Sequence, residues 1–297
     1  MAAPSFNIWL QAARPRTLTA AVSPVLLGTA IAAGDSQFHF LAALAALAGA
    51  LLIQIGTNFA NDYFDFFKGA DNADRVGPTR VTQAGLVTPG QMRLAMGVVF
   101  GTAFLIGIYL VARAGWPVVA MGLVSLLLAV AYTGGPFPLA YNGLGDIPAF
   151  LFFGPLASWV TYYVQALEWS DLSFLVGCSA GFFAVAFLSI NNLRDIDEDR
   201  AAGKHTLIAL LGVRFGQWQY ITSLTLATLL PVLLVFLEPQ RPFVLLAALT
   251  FLMSWFAFGR TLHYRDPQAL IPILGMTGKL QIIFTVLFCI GWFIGVG

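Results

Sequence analysis

Two short acidic stretches each place a pair of carboxylates on one face of a helix. At about 100° per residue, Asp62 and Asp65 lie about 60° apart around the helix axis, and Asp195 and Asp199 lie about 40° apart. Like charges on one face repel each other and raise each other's pKa unless a cation lies between them. The spacing therefore predicts that these four aspartates form a catalytic site that holds a divalent cation.

Magnesium fits such a site because it takes hard oxygen ligands and leaves coordination positions for substrate phosphates. Basic residues lie beside both clusters in the chain, and we expect Lys68, Arg80 and Lys204 to bind diphosphate oxygens that the metal does not reach. The alternative for these three residues is the usual excess of basic residues in cytoplasmic loops. Asn58 is expected to orient a ligand or the diphosphate, with helix capping or an interhelical hydrogen bond as the alternative.

The elements that must position these residues are membrane helices. Of the 297 residues, 59% are hydrophobic and only 10% are charged, and the mean hydropathy is +0.81. This composition excludes a water-soluble domain. The two cysteines and three histidines are scattered, so their spacing predicts neither a zinc site nor a Ser/His/Asp arrangement. The sequence therefore predicts an integral membrane protein with no nucleic-acid partner, and it disfavours most hydrolase and zinc-enzyme functions.

Runs of mostly apolar residues recur along the chain, each long enough as a helix to cross a hydrocarbon core of about 30 Å. The runs are continuous and do not alternate in short segments, which favours helices over a barrel. We therefore predict an all-α polytopic membrane protein with about nine transmembrane helices. They fall near residues 17–34, 38–60, 91–112, 115–133, 145–167, 172–192, 216–237, 242–260 and 274–296.

Basic residues predict the sidedness of the chain. With the N-terminus inside, thirteen of the fifteen lysines and arginines fall in cytoplasmic loops, and only Arg113 and Arg241 fall outside. The N-terminus and the active site are therefore expected in the cytosol and the C-terminus outside, in a bacterial inner or plasma membrane or its equivalent. We expect no removable signal peptide, because the first residues lack a basic region followed by an apolar one.

The two acidic clusters also divide the chain into similar halves. Asp62 ends the second predicted helix, and Asp195 ends the sixth, four helices later. We therefore expect one transmembrane domain over residues 1–297, with pseudo-repeat halves at roughly 15–135 and 143–260 and a last helix at 274–296. The active site is expected between the halves, where both acidic helix ends face the cytosol.

Several segments, in order along nearly the whole chain, carry a resemblance to a known family. They are ARPRTLTAAVSPVLLG, NDYFDFFKGAD, GPTRVTQAG, AYTGGPFPLAYNGLGD, FFGPLASWVTYYVQ and NNLRDIDEDRAAGKHTLIALLG. In these segments the chain resembles the UbiA-type intramembrane prenyltransferases, most closely their naphthoate branch in menaquinone or phylloquinone biosynthesis.

That resemblance implies a UbiA-like helical bundle within membrane lipid, with Mg²⁺ as cofactor. It implies transfer of a prenyl group from a polyprenyl or phytyl diphosphate to 1,4-dihydroxy-2-naphthoate. Carbon dioxide and pyrophosphate leave, and the product is demethylmenaquinol or demethylphylloquinol.

The resemblance also bears on the metal ligands and the aromatic contacts. The broad family pattern has a further aspartate seven positions after the first, where this chain has Gly69, so Asp71 is the expected further metal ligand. We expect Tyr63 and Tyr132 to contact the aromatic substrate or the allylic cation, with the interfacial aromatic belt as the alternative. Tyr141 is assigned to that belt. The polar segment at residues 76–91 is expected to form a lid over the site.

Three other functions compete with this prediction. The same metal chemistry serves other aromatic acceptors, such as 4-hydroxybenzoate or homogentisate. A cation-coupled secondary transporter also uses carboxylates, but it usually carries them near the bilayer midplane, whereas here they crowd one end of the predicted bundle. A phosphoalcohol-transferring membrane enzyme is expected to carry its acids in one continuous motif, and here two separated clusters occur.

Overall fold

The computed structural model describes residues 4–68, 77 and 80–294, and every regular element in these ranges is helical. The prediction of an all-α fold is therefore confirmed. The α-helices of the described ranges are α1 (Phe6–Ala13), α2 (Thr19–Gly34), α3 (Phe40–Lys68), α4 (Pro89–Ala114), α5 (Trp116–Ala131), α6 (Asp146–Phe152), α7 (Pro155–Ala166), α8 (Asp171–Arg194), α9 (Ile196–Ala201), α10 (Leu207–Leu211), α11 (Val213–Leu237), α12 (Leu245–His263) and α13 (Ile271–Phe293).

Eight of the nine predicted spans each coincide with one helix, and the span at 145–167 coincides with α6 and α7, but the helices differ in length. In the described ranges, seven segments are long and apolar enough to cross a membrane: α3, α4, α6 with α7, α8, α11, Pro242–His263 and Pro267–Phe293. An eighth results if the bent pair that ends with α2 counts as one span. Helix α5 is apolar but has only 16 residues. The described ranges therefore contain seven or eight candidate spans, and the count of nine stays a prediction.

A bend of 55° separates the first helical segment from α2. Arg14 ends α1 in the left-handed conformation, with a φ of 51°, and Pro15 follows it without an N–H that could continue the helix. The bend brings this segment against α3, where Asn58 Nδ2 donates to the carbonyl of Ala13 at 2.9 Å and to Thr17 Oγ1 at 3.2 Å. The start of the chain is therefore fixed to the helix that carries the first acidic cluster.

Helix α8 is the buried centre of the bundle and shares its core with α2, α11 and α13. Its contact with α6 and α7 is unusually close. A Cβ atom at Gly181 would lie 2.5 Å from the carbonyl oxygen of Phe150, and one at Gly177 would lie 2.8 Å from Cα of Pro155. Small residues let membrane helices approach in this way. Because α8 leads directly into the second acidic cluster, this packing fixes the position of that cluster.

The two basic residues that the charge pattern assigned to the outer side bind helix C-termini. Arg113 donates from Nε to the carbonyl of Val164 at 2.7 Å and from Nη2 to that of Gln165 at 2.8 Å, near the end of α7. Arg241 donates from Nη1 to the carbonyl of Trp292 at 2.7 Å, near the end of α13. The last carbonyls of a helix have no partner within it, and a cation there also matches the helix dipole. These two arginines therefore stabilise helix ends.

Candidate active site

The first acidic cluster is buried at the end of α3 and binds the segment before α4. The carboxylate of Asp62 accepts backbone hydrogen bonds from the N–H groups of Val81 and Thr82, both at 3.1 Å. Asp65 accepts from Nη2 of Arg80 at 3.0 Å. Hydrogen bonds to ionised groups are the stronger kind. The described part of the expected lid therefore lies directly on both carboxylates.

The second acidic cluster lies where α8 passes into α9. The carboxylate of Asp195 accepts two hydrogen bonds from Arg194, from Nε at 2.6 Å and from Nη2 at 2.7 Å. One turn later, Asp199 lies 3.2 Å from Nζ of Lys204. Asp195 and Asp199 are both buried. In this second cluster, therefore, both carboxylates pair with a cation, whereas in the first cluster Asp65 does so and Asp62 binds backbone N–H groups.

Tyr141 joins the two clusters. Its hydroxyl donates to Oδ1 of Asp65 at 2.9 Å, and its ring lies 4.3 Å from Nζ of Lys68 and 5.6 Å from Nζ of Lys204, measured to the ring centroid. Its carbonyl accepts from the backbone N–H of His205 at 3.0 Å. The assignment of Tyr141 to the interfacial belt was therefore wrong. The sequence did contain an indication of this role. The segment AYTGGPFPLAYNGLGD, which carries the family resemblance, includes Tyr141 as its second tyrosine, in the polar loop after α5.

The electrostatics of Lys204 reflect this meeting of clusters. Burial by itself lowers the pKa of a lysine, but the carboxylates of Asp199, Asp65 and Asp195 act in the opposite direction, and the net pKa of Lys204 is raised. Lys204 is therefore a protonated ammonium group at neutral pH. Lys204 pairs with Asp199 and lies over the ring of Tyr141, which binds Asp65, so the ends of α3 and α8 lie at one site.

A cavity of about 580 Å³ is lined by residues that neighbour both clusters in the chain. Its polar end includes Asn61, next to Asp62 in the chain, and Asn191, one turn before Asp195. Beyond this end its walls are mostly apolar and come from α2 to α8. The lining residues of α3 run from Asn61 back to Ala46, which corresponds to about 22 Å along the helix. The arrangement suits a molecule with an anionic head and a long apolar tail.

Comparison with known proteins agrees with this geometry. The model of the UbiA prenyltransferase family matches residues 21–276. This chain belongs to that family. Its sequence is 36% identical to the 1,4-dihydroxy-2-naphthoate octaprenyltransferase of Escherichia coli, over 96% of this chain and 95% of the relative. It is 30% identical to the 2-carboxy-1,4-naphthoquinone phytyltransferase of Synechocystis, over 71% of this chain and 68% of the relative.

Solved structures show the same family fold. A UbiA homolog from Aeropyrum pernix superimposes with a TM-score of 0.67 at 16% identity, over 92% of this chain and 97% of that one. A UbiA homolog from Archaeoglobus fulgidus, bound to GPP and Mg²⁺, gives a TM-score of 0.63 at 13% identity, over 95% of this chain and 99% of that one. The UbiA-like helical bundle predicted from the sequence is therefore confirmed, and the protein is an integral membrane protein.

The remaining predicted residues of this UbiA-family site differ in their surroundings. Lys68 Nζ donates to the carbonyl of Thr133 at 2.5 Å. Tyr132 lines the cavity, whereas Tyr63 packs against the rings of its neighbours Phe64 and Phe67. Asn58 lines the cavity too, although its Nδ2 is used in the two hydrogen bonds that fix the start of the chain. Asp71 lies outside the described residues, so its predicted role as a metal ligand stays a prediction.

The aspartate carboxylates are the type of oxygen ligand that magnesium binds. Within the described ranges, no three acidic, histidine or cysteine side chains lie close enough together to enclose a metal ion. Magnesium does not require such an enclosure, because it usually binds one or two carboxylates and completes its shell with waters and substrate phosphates. The observed hydrogen bonds leave lone pairs on carboxylate oxygens such as those of Asp62. The two pairs therefore fit Mg²⁺ that is held together with a diphosphate.

Proposed function

We propose that this protein transfers a prenyl group from a polyprenyl or phytyl diphosphate to 1,4-dihydroxy-2-naphthoate, in menaquinone or phylloquinone biosynthesis. Carbon dioxide and pyrophosphate are released, and the product is demethylmenaquinol or demethylphylloquinol. One observation carries the proposal: two buried carboxylate clusters, joined by Tyr141, lie next in the chain to residues that line the polar end of an apolar cavity. The family match and the naphthoate octaprenyltransferases at 36% identity support the acceptor.

The diphosphate binds, in this proposal, at the meeting of the two clusters. Asp62, Asp65, Asp195 and Asp199 hold Mg²⁺, with Asp71 as the further ligand that the sequence predicts. When bound, Mg²⁺ withdraws charge from the diphosphate and so favours breakage of the allylic carbon–oxygen bond.

Basic side chains hold the remaining phosphate oxygens. Lys204, Arg80 and Lys68 lie beside the carboxylates and carry the positive charge that a leaving pyrophosphate requires. Asn58 lies at the polar end of the cavity, where its carbonyl oxygen can accept from a water that also donates to the head group. In this proposal, these side chains supply positive charge to the phosphate oxygens once the substrate is bound.

The prenyl tail occupies the apolar cavity. The cavity opens toward the outside of the bundle between α4 and α5, where Phe104, Ile108 and Leu123 both line it and are exposed. A tail longer than the cavity therefore leaves into the surrounding lipid. The apolar walls keep water from the allylic cation, and the ring of Tyr132, at the polar end, lies where it can stabilise that cation. Tyr63 is the second aromatic side chain proposed for this contact.

The proposal extends to the organisation of the chain in the membrane. The chain forms one domain, with halves at roughly 15–135 and 143–260 that each contribute one acidic helix end. The meeting of the ends of α3 and α8 around Lys204 supports this division. The N-terminus and the site face the cytosol and the C-terminus lies outside, as the distribution of basic residues favours.

The test is turnover by the purified protein in lipid. We would incubate 1,4-dihydroxy-2-naphthoate with a panel of allylic diphosphates, with and without Mg²⁺, and follow the prenylated product and carbon dioxide together. Product formation that depends on Mg²⁺, with equimolar carbon dioxide, is expected. Prenylation of 4-hydroxybenzoate or homogentisate in place of naphthoate would overturn the acceptor, and no reaction with any acceptor would overturn prenyl transfer itself.

A further inference from the structure

Gln54 carries a buried hydrogen-bond acceptor that the protein does not satisfy. The residue lines the cavity and is only 7% exposed. Its Nε2 donates to Thr17 Oγ1 at 3.3 Å, whereas its Oε1 is buried and has no hydrogen-bond partner among the described residues. Leaving a buried acceptor unpaired is unfavourable. A donor from a molecule in the cavity would remove this penalty.

The hydrogen bonds around Thr17 determine which way the Gln54 amide points. Thr17 Oγ1 donates its single proton to the carbonyl of Arg14 at 3.0 Å, so its oxygen can otherwise only accept. It accepts from Asn58 Nδ2 at 3.2 Å and from Gln54. Gln54 must therefore present its NH₂ group to Thr17. Its carbonyl oxygen is left on the opposite side of the amide, as a buried acceptor without a partner in the described ranges, on a residue that lines the cavity.

The position of Gln54 along α3 suits the aromatic substrate. Gln54, Asn58 and Asp62 follow each other at intervals of four residues and share one face of the helix. Gln54 thus lies about 12 Å below Asp62 along the helix axis. With the diphosphate at the carboxylates, the acceptor ring must lie next to the allylic carbon, on the cavity side. A fused bicyclic ring spans the interval that remains between that carbon and Gln54.

The chemistry of the two substrates selects the donor. A prenyl chain has no hydrogen-bond donor. In 1,4-dihydroxy-2-naphthoate, the 1-hydroxyl is adjacent to the carboxylate and bonds to it internally, whereas the 4-hydroxyl is free to donate. We infer that Oε1 of Gln54 accepts a hydrogen bond from this 4-hydroxyl and so orients the carboxylate-bearing carbon toward the allylic carbon. The inference rests on the proposed function and makes Gln54 a binding residue for the acceptor.

The experiment compares 1,4-dihydroxy-2-naphthoate, called the diol below, with 1-hydroxy-2-naphthoate, an analogue that lacks the 4-hydroxyl. Full-length Gln54→Leu and Gln54→Met variants in lipid are assayed for two KM values, one for the diol and one for the diphosphate donor. The inhibition constant of the analogue is measured in parallel. We expect the KM for the diol to rise roughly five- to tenfold, with the KM for the donor and the inhibition constant of the analogue unchanged.

A matched control is Gln281→Leu. Gln281 is a fully buried glutamine of α13 whose amide atoms also have no partner in the described part of the chain, but it is not among the lining residues of the cavity. We expect this variant to keep the wild-type KM for the diol. An increase in KM in Gln281→Leu equal to that in the Gln54 variants would contradict the inference.

Two further outcomes separate this inference from the proposed function. Suppose that the wild-type protein prenylates naphthoate. If the Gln54 variants keep the wild-type KM for the diol, or if they weaken the binding of the diol and of the analogue by the same factor, the 4-hydroxyl contact is refuted and the proposed function stands. If the wild-type protein does not act on naphthoate at all, the proposed function fails, and the inference fails with it.

Discussion

Replacing Tyr141 with phenylalanine removes one hydroxyl from the centre of the candidate site and keeps the ring. The lost hydrogen bond joins that hydroxyl to Oδ1 of Asp65 at 2.9 Å. A hydrogen bond to a charged group contributes about 1.5 to 3 kcal/mol, and each 1.4 kcal/mol corresponds to a factor of about ten. Because Arg80 still pairs with Asp65 at 3.0 Å, we expect a loss at the low end of this range. The kcat/KM for the diphosphate donor should fall about tenfold.

Replacing Tyr141 with leucine separates the role of the ring from that of the hydroxyl. This change also removes the contacts of the ring with the ammonium groups of Lys68, at 4.3 Å, and Lys204, at 5.6 Å. Such contacts contribute about 0.5 to 2 kcal/mol, depending on their exposure. We therefore expect a further loss of about tenfold in kcat/KM. The expected order of activity is wild type, then Tyr141→Phe, then Tyr141→Leu.

The assay is initial-rate kinetics in lipid with varied diphosphate and saturating acceptor, beside a thermal unfolding curve of each variant. The control is Tyr162→Phe. The Tyr162 hydroxyl donates to Oδ2 of Asp35 at the same distance of 2.9 Å, but Asp35 follows the C-terminal end of α2, whereas Asn58 of the candidate site contacts Thr17, before the start of α2. This variant should keep its kcat/KM for the donor. Wild-type kinetics in Tyr141→Phe, or an equal loss in both phenylalanine variants, would refute the role of Tyr141 in joining the clusters.

Three further predictions concern the carboxylates and the packing. Asp195→Asn should lower kcat more than a hundredfold, whereas Asp171→Asn, at the other end of α8, should be near wild type; equal rates would remove Asp195 from the site. Gly181→Leu should lower the midpoint of thermal unfolding by several degrees, because its Cβ would lie 2.5 Å from a backbone carbonyl, and an unchanged midpoint would contradict the close packing of α8. Arg113→Met should also lower that midpoint, with the KM for the donor unchanged, because only helix-end carbonyls lose their partner.

The apolar runs of the sequence predict where the helices lie, because a membrane leaves helical hydrogen bonding as the main way to satisfy a spanning backbone. They do not determine how many of these helices cross. Pro15 breaks the first segment before α2, and the run at residues 115–133 yields a helix of only 16 residues. Apolar composition alone predicts neither the break at Pro15 nor the short length of α5, because Gly and Pro are tolerated in membrane helices. For these reasons seven or eight segments of the described ranges are long and apolar enough to cross a membrane, and the count of nine stays a prediction.

The sequence was more informative about the acidic helix ends than about their partners. The intervals of three and four residues within each cluster determine a shared helix face, whatever the tertiary structure. The contact between Tyr141 and Asp65 joins residues 76 positions apart, and the contact between Gln54 and Thr17 joins residues 37 apart. Neither follows from local spacing, because both depend on how separate helices and loops pack. Asp71 lies outside the described residues, and its role as a ligand stays a prediction.

The charges of the described site give a physical reason for a divalent cation that is independent of the family resemblance. Asp65 pairs with Arg80, Asp195 with Arg194 and Asp199 with Lys204. A diphosphate that enters alone must draw these cations away from buried carboxylates and leave them uncompensated, which is strongly unfavourable. A divalent cation held by Asp65, Asp195 and Asp199 together with the diphosphate would supply positive charge at the carboxylates in place of these pairs. Arg80 and Lys204 would then be available to the phosphate oxygens, so the same side chains would pair with carboxylates in the free protein and with the diphosphate in the substrate complex.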